Sequence, residues 1–247
     1  MKNLKRIPME HLHNLRDLGG YACGDGKTVR YHKLYRCEGL NRLTAAEWKL
    51  LVEELNIRTV IDLRSDGERA YAPYTAPAEM EQIGYSLQKV EVPEKDPREL
   101  SPEELKEIAS QGFGKSLADG YVNMLEKGPE RVAAVLDIVA KGLQKGAVLY
   151  HCTAGKDRTG VLSALVYLLC GVADVDIIAD YQVSATYLSA NPLFQGIPES
   201  MRDMMGSAPK NMVHFLQSFH EKDYLSLLKQ HGLTEKTISA IRSAMME

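Results

Sequence analysis

A cysteine and an arginine stand six positions apart in the run His151-Cys152-Thr153-Ala154-Gly155-Lys156-Asp157-Arg158-Thr159-Gly160. Ahead of it, Ala147 to Tyr150 is a short apolar run of the kind that forms a buried strand. Behind it, Val161 to Cys170 is apolar at helical length, and Gly171 stands where a glycine would end that helix. This pattern commits the chain to a strand–loop–helix turn whose loop opens on a thiol and closes on a guanidinium.

A loop of this length suits one anion. Its successive backbone N–H groups converge on a centre, and the following helix presents its positive end to the same point. Gly155 permits the tight turn because glycine tolerates positive φ. Arg158 adds a planar fork matched to two oxygens of a phosphate. The same field acts on Cys152, and a thiol at such a helix N-terminus ionises at about 3.5–7.5 instead of about 8.5. The expected product is a thiolate beneath a bound phosphate, placed for in-line attack on phosphorus.

An alkoxide or phenoxide leaves poorly, so the attack needs a proton donor. Asp157 could donate that proton and later activate water. Thr159 could donate a hydrogen bond to the sulfur, and Lys156 is expected as a fixed positive charge at the rim. Plainer roles stand beside these. A lone buried cysteine is inert in most proteins, a Lys-Asp-Arg triplet is usually a solvated face, and Asp157 could merely pair with Arg158 or Lys156. For Cys152 and Arg158 together, at this spacing between a strand and a helix, the chemical reading is the better one. His151 is expected to shape the loop by a hydrogen bond and to tune the sulfur.

His-Cys-x5-Arg-Thr resembles the signature loop of the cysteine-dependent protein tyrosine phosphatase superfamily. With Lys-Asp before the arginine, it is similar to a bacterial tyrosine phosphatase family, some of whose members resemble lipid phosphatases. Three further stretches share the resemblance: Asn14-Leu15-Arg16-Asp17-Leu18-Gly19-Gly20-Tyr21, Leu34-Tyr35-Arg36 and Val60-Ile61-Asp62-Leu63-Arg64-Ser65. It runs from about residue 14 to 190. It implies phosphotyrosine, phosphoserine or phosphothreonine, or phosphoinositide substrates, with no cofactor and no metal. Cys37 departs from the serine usual after Tyr-Arg in that family, and puts a second thiol near the site or is silent.

At 247 residues with 45% hydrophobic side chains, the chain can bury a substantial core. A net charge of −3 supplies no global basic field, so nucleic acid is not an expected partner. The four cysteines, at 23, 37, 152 and 170, form no C-x-x-C pair and no zinc-like spacing with histidine. Residues 1–15 lack an apolar signal core, and the run Val161 to Ala173 is too short to span a bilayer of roughly 30 Å. Together with a reactive thiol, these features predict a cytoplasmic protein without stable membrane insertion. A few relatives are secreted, which keeps secretion without a classical signal as the alternative.

In chain order, residues through Lys27 read as loop and Val29 to Arg36 as a strand. Arg16 and Asp17 are read either as an ion pair fixing the N-terminal loop or as substrate contacts. Thr44 to Glu47 is a capping box opening a helix with Trp48, Leu51, Val52 and Leu55 on one face, ending near Asn56. Arg58 to Leu63 reads as a central strand that delivers Asp62, Arg64, Asp66 and Glu68 to its carboxyl end, where ligands bind in open α/β sheets. Asp66, on an expected mobile loop, rivals Asp157 as the acid, and Asp62 reads as structural. Residues 68–120 suit a lid or a solvated insertion. Ala70 to Pro77 is a poor helix or strand, Tyr85 to Val92 reads as an edge strand, and Ser101 caps a short helix. Pro129 to Gln144 and Asp174 to Leu188 read as helices. From residue 192 onward the pattern is a helical appendage, with helices over 198–205, 209–219, 224–231 and 234–246. Met201, Met204, Met205 and Met212 read as core first, or as a flexible apolar cluster that covers the site or binds lipid tails.

Gly155-Lys156 is not a nucleotide-binding loop, because Tyr150 and Asp157 stand where that motif needs glycine and Ser or Thr. Two readings survive. One is a metal-independent phosphomonoester hydrolase working through a phosphocysteine, with Cys152 as nucleophile, Arg158 and the 153–158 amides as phosphate cradle, and Asp157 as acid then base. The other is a catalytically dead phosphate-binding module, or a sulfur- or arsenate-handling relative. The expected fold is a single three-layer α/β phosphatase-like domain over 1–247, a mostly parallel sheet with helices on both faces and a helical C-terminal cap.

Overall fold

The computed structural model describes residues 2–88, 101, 104, 116–192 and 206–247. Strands covered on both faces consist of nearly continuous buried residues, and Ala147–His151 is buried throughout. It is β5, the middle of a five-stranded sheet ordered β1-β2-β5-β3-β4. The others are β1 (Arg16–Asp17), β2 (Leu34–Cys37), β3 (Ile57–Asp62) and β4 (Glu81–Gly84). Only β1 is antiparallel, to β2; β2, β5, β3 and β4 run parallel. The carboxyl ends of β2, β3 and β5 therefore open on one edge, where Cys37 and Asp62 both pair with His151.

Helix α1 (Ala45–Glu53) starts at the expected capping box. The Thr44 Oγ1 accepts from the Glu47 N–H at 3.3 Å, and Glu47 Oε2 accepts from the Thr44 N–H at 2.9 Å. The chain then reverses at Asn56, with φ of 52°. Leu51 of α1 packs with Tyr35, Ile57, Val60 and Leu149 on one face of the sheet. The opposite face, with Leu34, Ile61, Val148 and Tyr150, is covered by α4 (Pro129–Gly142) and α5 (Asp157–Cys170). Helix α5 is buried almost all round, as expected for a helix between two layers. It ends at Gly171, with φ of 76°, as the sequence predicts. Helix α6 (Asp174–Leu188) follows over its expected span.

The last helices, α7 (Pro209–Glu221), α8 (Tyr224–Gln230) and α9 (Glu235–Met245), do more than cap. Phe215, Leu216, Leu228, Ile241 and Met245 join the same core as Val135, Leu136, Val161 and Leu165. The final residues pair with the 28–30 segment: the Thr28 N–H donates to the Glu247 carbonyl at 2.9 Å, and the Glu247 N–H returns a bond to Thr28 at 3.0 Å.

Three expectations are corrected. The strand predicted over Val29 to Arg36 is only Leu34–Cys37, because the backbone turns at His32 with φ of 63°. The edge strand predicted at Tyr85 to Val92 lies earlier, at Glu81–Gly84, held on β3; residues 89–92 lie outside the described ones. Asp66 is not on a loop but opens α2 (Asp66–Tyr71), and α3 (Leu117–Lys127) was not foreseen. Ser101 and Glu104 make the two reciprocal bonds of a capping box, at 2.7 and 3.1 Å, while most of 89–115 lies outside the described residues. So do the helix expected at 198–205 and Met201, Met204 and Met205, whereas Met212 is fully buried core. Among the described residues, no helix is long and apolar enough to cross a membrane.

Candidate active site

The loop from Cys152 to Lys156 leaves β5 at the sheet's carboxyl edge and enters α5 at Asp157. Its shape is set from beneath. The Asn14 Nδ2 donates to the Ala154 and Gly155 carbonyls at 3.1 and 3.2 Å, and the Arg36 guanidinium donates to the carbonyls of Gly155 at 2.8 Å and Lys156 at 3.4 Å. Pulling these carbonyls down turns the following peptide N–H groups to the opposite side of the loop. Gly155 has φ of +66°, and a Cβ there would lie 2.2 Å from the Cys37 carbonyl oxygen. Gly155→Ala is therefore expected to cost roughly 1–3 kcal/mol in backbone strain and to weaken phosphate binding about tenfold or more. Calorimetric titration with inorganic phosphate checks it; unchanged affinity would show that the cradle does not need this conformation.

Arg36 is itself held. With Arg16 it flanks Asp180 of α6, at 2.8 Å from Arg36 and 3.2 Å from Arg16, and all three side chains are fully buried. Burial alone would push the Asp180 carboxyl up, but Arg16, then Arg36 and Lys5, hold it well below the usual range. Arg16 thus pairs with Asp180 and not with Asp17. The Asp17 carboxylate instead accepts from the backbone N–H groups of Gly19 and His32, both at 2.7 Å. Arg16 braces the groups beneath the loop, bonding the Asn14 carbonyl and Asp180, while Asp17 ties the backbone at Gly19 to that at His32.

Cys152 is buried, with 1% exposure. His151 beside it is fully buried: its Nδ1 lies 3.0 Å from the Cys152 carbonyl, and its Nε2 lies 2.7 Å from the Tyr74 hydroxyl and 3.6 Å from Asp62. Burial, partly opposed by Asp62, lowers its pKa, so the ring is neutral at pH 7 with Nδ1 donating to the loop. The expected loop-shaping role fits this geometry. Asp62 and Arg64 form a buried pair at 2.7 Å behind the histidine, and Arg64 also donates to the Ala72 carbonyl at 3.0 Å. Cys37 is buried under Gly155, and burial, then Glu38 and Cys152, push its thiol well above the ordinary value.

Arg158 holds a partner that sequence reading did not assign. Its terminal nitrogens grip the Glu68 carboxylate at 2.5 and 2.7 Å, and the Thr153 hydroxyl donates to the same carboxylate at 2.5 Å. Burial would raise the Glu68 carboxyl, but Arg158 holds it far below its usual range. Glu68 is also the third residue of α2, where its side chain accepts from the Ser65 N–H at 2.9 Å. The signal was present: Ser65-Asp66-Gly67-Glu68 is the same capping pattern as at Thr44. Arg158 Nε is buried with no partner among the described residues, as is Thr159 Oγ1.

Lys156 is not at the rim. Its side chain is 2% exposed, and Nζ lies 2.8 Å from Asp157 Oδ1. The Tyr121 hydroxyl donates to that same oxygen. Asp66, the rival acid, is 97% exposed at its side chain and pairs with Arg69. Among the described residues, no group of three or more His, Cys, Asp or Glu side chains is placed to hold a metal.

A model of the tyrosine phosphatase family matches residues 7–247, so the match includes the C-terminal helices. A tyrosine-protein phosphatase of Nostoc commune is 35% identical over 157 residues, which are 64% of this chain but only 50% of that protein. A relative from Cupriavidus necator is 28% identical over 214 residues, 85% of this chain and 73% of the relative. Among solved structures, P. aeruginosa TpbA aligns with 83% of this chain and 89% of its own, at 18% identity and a TM-score of 0.38.

Proposed function

The chain belongs to the tyrosine phosphatase family, and from that premise we propose that it hydrolyses phosphomonoesters, phosphotyrosine first, through a phosphocysteine intermediate. One observation carries this reading: Arg158 Nε is buried and unpartnered among the described residues beside a loop whose carbonyls are drawn away, which supports taking the loop as a cradle for an anion.

In the first step the Cys152 thiolate attacks phosphorus, and the ester oxygen leaves with a proton from Asp157. In the second, Asp157 takes a proton from water, whose oxygen displaces the cysteine sulfur and releases phosphate. The amides of Thr153, Ala154, Gly155, Lys156, Asp157 and Arg158, with the Arg158 guanidinium, carry the equatorial charge. Those fixed positive groups do the work a metal would do, so the proposed chemistry is metal-independent. The Thr159 hydroxyl, without a hydrogen-bond partner among the described residues, is available to the departing sulfur. Asp157 is favoured over Asp66 because it lies inside the loop and is anchored, whereas Asp66 points to solvent. Lys156 is turned inward onto Asp157, so it does not supply the rim charge that a second phosphate on the substrate would need. Phosphotyrosine is therefore placed ahead of phosphoserine or phosphothreonine and phosphoinositides. A mechanism that runs on a free thiolate fits the reducing cytoplasm.

Phosphate release from p-nitrophenyl phosphate, phosphotyrosine and phosphoserine peptides, and a phosphoinositide, all with EDTA, tests the proposal. Turnover is expected to survive EDTA, with the phosphotyrosine peptide ahead. Asp157→Asn should lower the rate on the peptide by about 10²–10⁴-fold, the usual worth of a general acid, and Asp66→Asn should not. No turnover with phosphate still bound would move the chain to the binding-module reading, and a loss at Asp66 instead would move the acid.

A further inference from the structure

The two carboxyl oxygens of Asp157 are held unequally. Oδ1 accepts from the Tyr121 hydroxyl and from Lys156 Nζ, whereas among the described residues no hydrogen bond reaches Oδ2. Tyr121 is fully buried on α3, and its hydroxyl lies 2.7 Å from that of Tyr181 on α6, the rings meeting nearly edge to face at 78°. The Asn211 Nδ2 of α7 donates in turn to the Tyr181 hydroxyl at 3.4 Å. A chain of hydrogen bonds drawn from three helices thus ends, through Tyr121, on one oxygen of one carboxyl group.

A carboxyl group that delivers a proton must present one chosen oxygen to the leaving group. Left free, it swings between its two oxygens and spends much of its time misdirected. Burial, then the Asp157 carboxylate, hold the Tyr121 phenol well above its ordinary pKa, so it stays a donor at every working pH. We infer that Tyr121 is a positioning residue for the proton donor: it pins Oδ1 of Asp157 so that Oδ2 faces the leaving oxygen. Through Tyr181 and Asn211 the C-terminal helices become part of that geometry. The inference rests on the reading of Asp157 as the acid.

Leaving-group dependence separates this role from mere packing. Nitrophenolate departs as an anion with little help, whereas phenoxide needs the proton. Tyr121→Phe removes one oxygen and keeps the ring in the core. It is expected to lower kcat/KM for phenyl phosphate about tenfold, the scale of one lost hydrogen bond to a charged group, and to leave p-nitrophenyl phosphate nearly unchanged. Added to Asp157→Asn, it should cause no further loss on phenyl phosphate. Tyr181→Phe, one bond further out, should shift the same ratio by less. Equal loss on both substrates from Tyr121→Phe, with Asp157→Asn selective, would overturn the inference alone. If Asp157→Asn also slows both substrates equally, the acid is elsewhere and the inference falls with that reading.

Discussion

Cys152→Ser is expected to reduce turnover to background, a loss of roughly 10⁴-fold or more, as when any enzyme loses its nucleophile. The argument rests on what the substitution leaves in place. Serine is close in size, so the cradle survives: Asn14 and Arg36 still hold the loop carbonyls, and Glu68 still holds Arg158. A serine hydroxyl is a far weaker acid and nucleophile than a thiol, so the nucleophile is lost and the loop's other groups are not. Binding of inorganic phosphate or tungstate, followed by calorimetry, should persist within a few-fold. Acid quenching of the unmodified enzyme during turnover of labelled substrate should trap phosphorus on the protein, and the variant should trap none. Turnover that persists in the variant would remove Cys152 from the mechanism.

Asp180→Asn carries the largest expected cost in stability. One fully buried carboxylate serves Arg16 and Arg36, with Lys5 3.8 Å away. Removing its charge leaves two guanidinium groups buried without a counterion, and breaking such a pair costs about 3–5 kcal/mol. In a chain of this size that lowers the melting temperature by roughly 10 °C. The pH dependence follows from the direction of the shift. The folded-state pKa of Asp180 is depressed, so its contribution is complete above the unfolded value of about 3.9 and is lost as pH falls toward the folded one. At pH 7 the whole effect is visible. In acid the difference between the two proteins should shrink. Thermal unfolding at neutral and acid pH checks both; a variant melting within a degree or two of the parent would mean that the triad contributes no net stability. Because Arg36 also draws down the Gly155 and Lys156 carbonyls, a folded variant should bind phosphate more weakly as well.

Local patterning made much of this protein readable in advance. Apolar runs of strand length at 58–63 and 147–150, the capping box at Thr44 and the glycine at 171 each act over a few residues, and each formed the element expected of it. The strand near residue 34 and the one near 81 were misplaced, because alternation there is weak. Their register was decided by neighbours, β5 for one and β3 for the other. Asp66 and Lys156 were misjudged for a related reason. Charge invites a reading as loop or rim, yet Asp66, though exposed, is the first residue of α2, and Lys156 is buried on Asp157.

The sequence by itself determined which chemical groups the loop brings together. Cys152, Gly155, Asp157 and Arg158 lie within seven residues, and the roles proposed for them follow from backbone reach and side-chain type. Only the tertiary structure decided what holds that loop. Glu68, Asn14, Arg36, Asp180, Tyr121 and Tyr181 come from 22 to 138 residues away in the chain, and their contacts appear only once the strands have paired and α3 and α6 have packed. A hydrogen bond between distant residues leaves no periodicity and no spacing in the sequence, so its partners become legible only when the fold has brought them together.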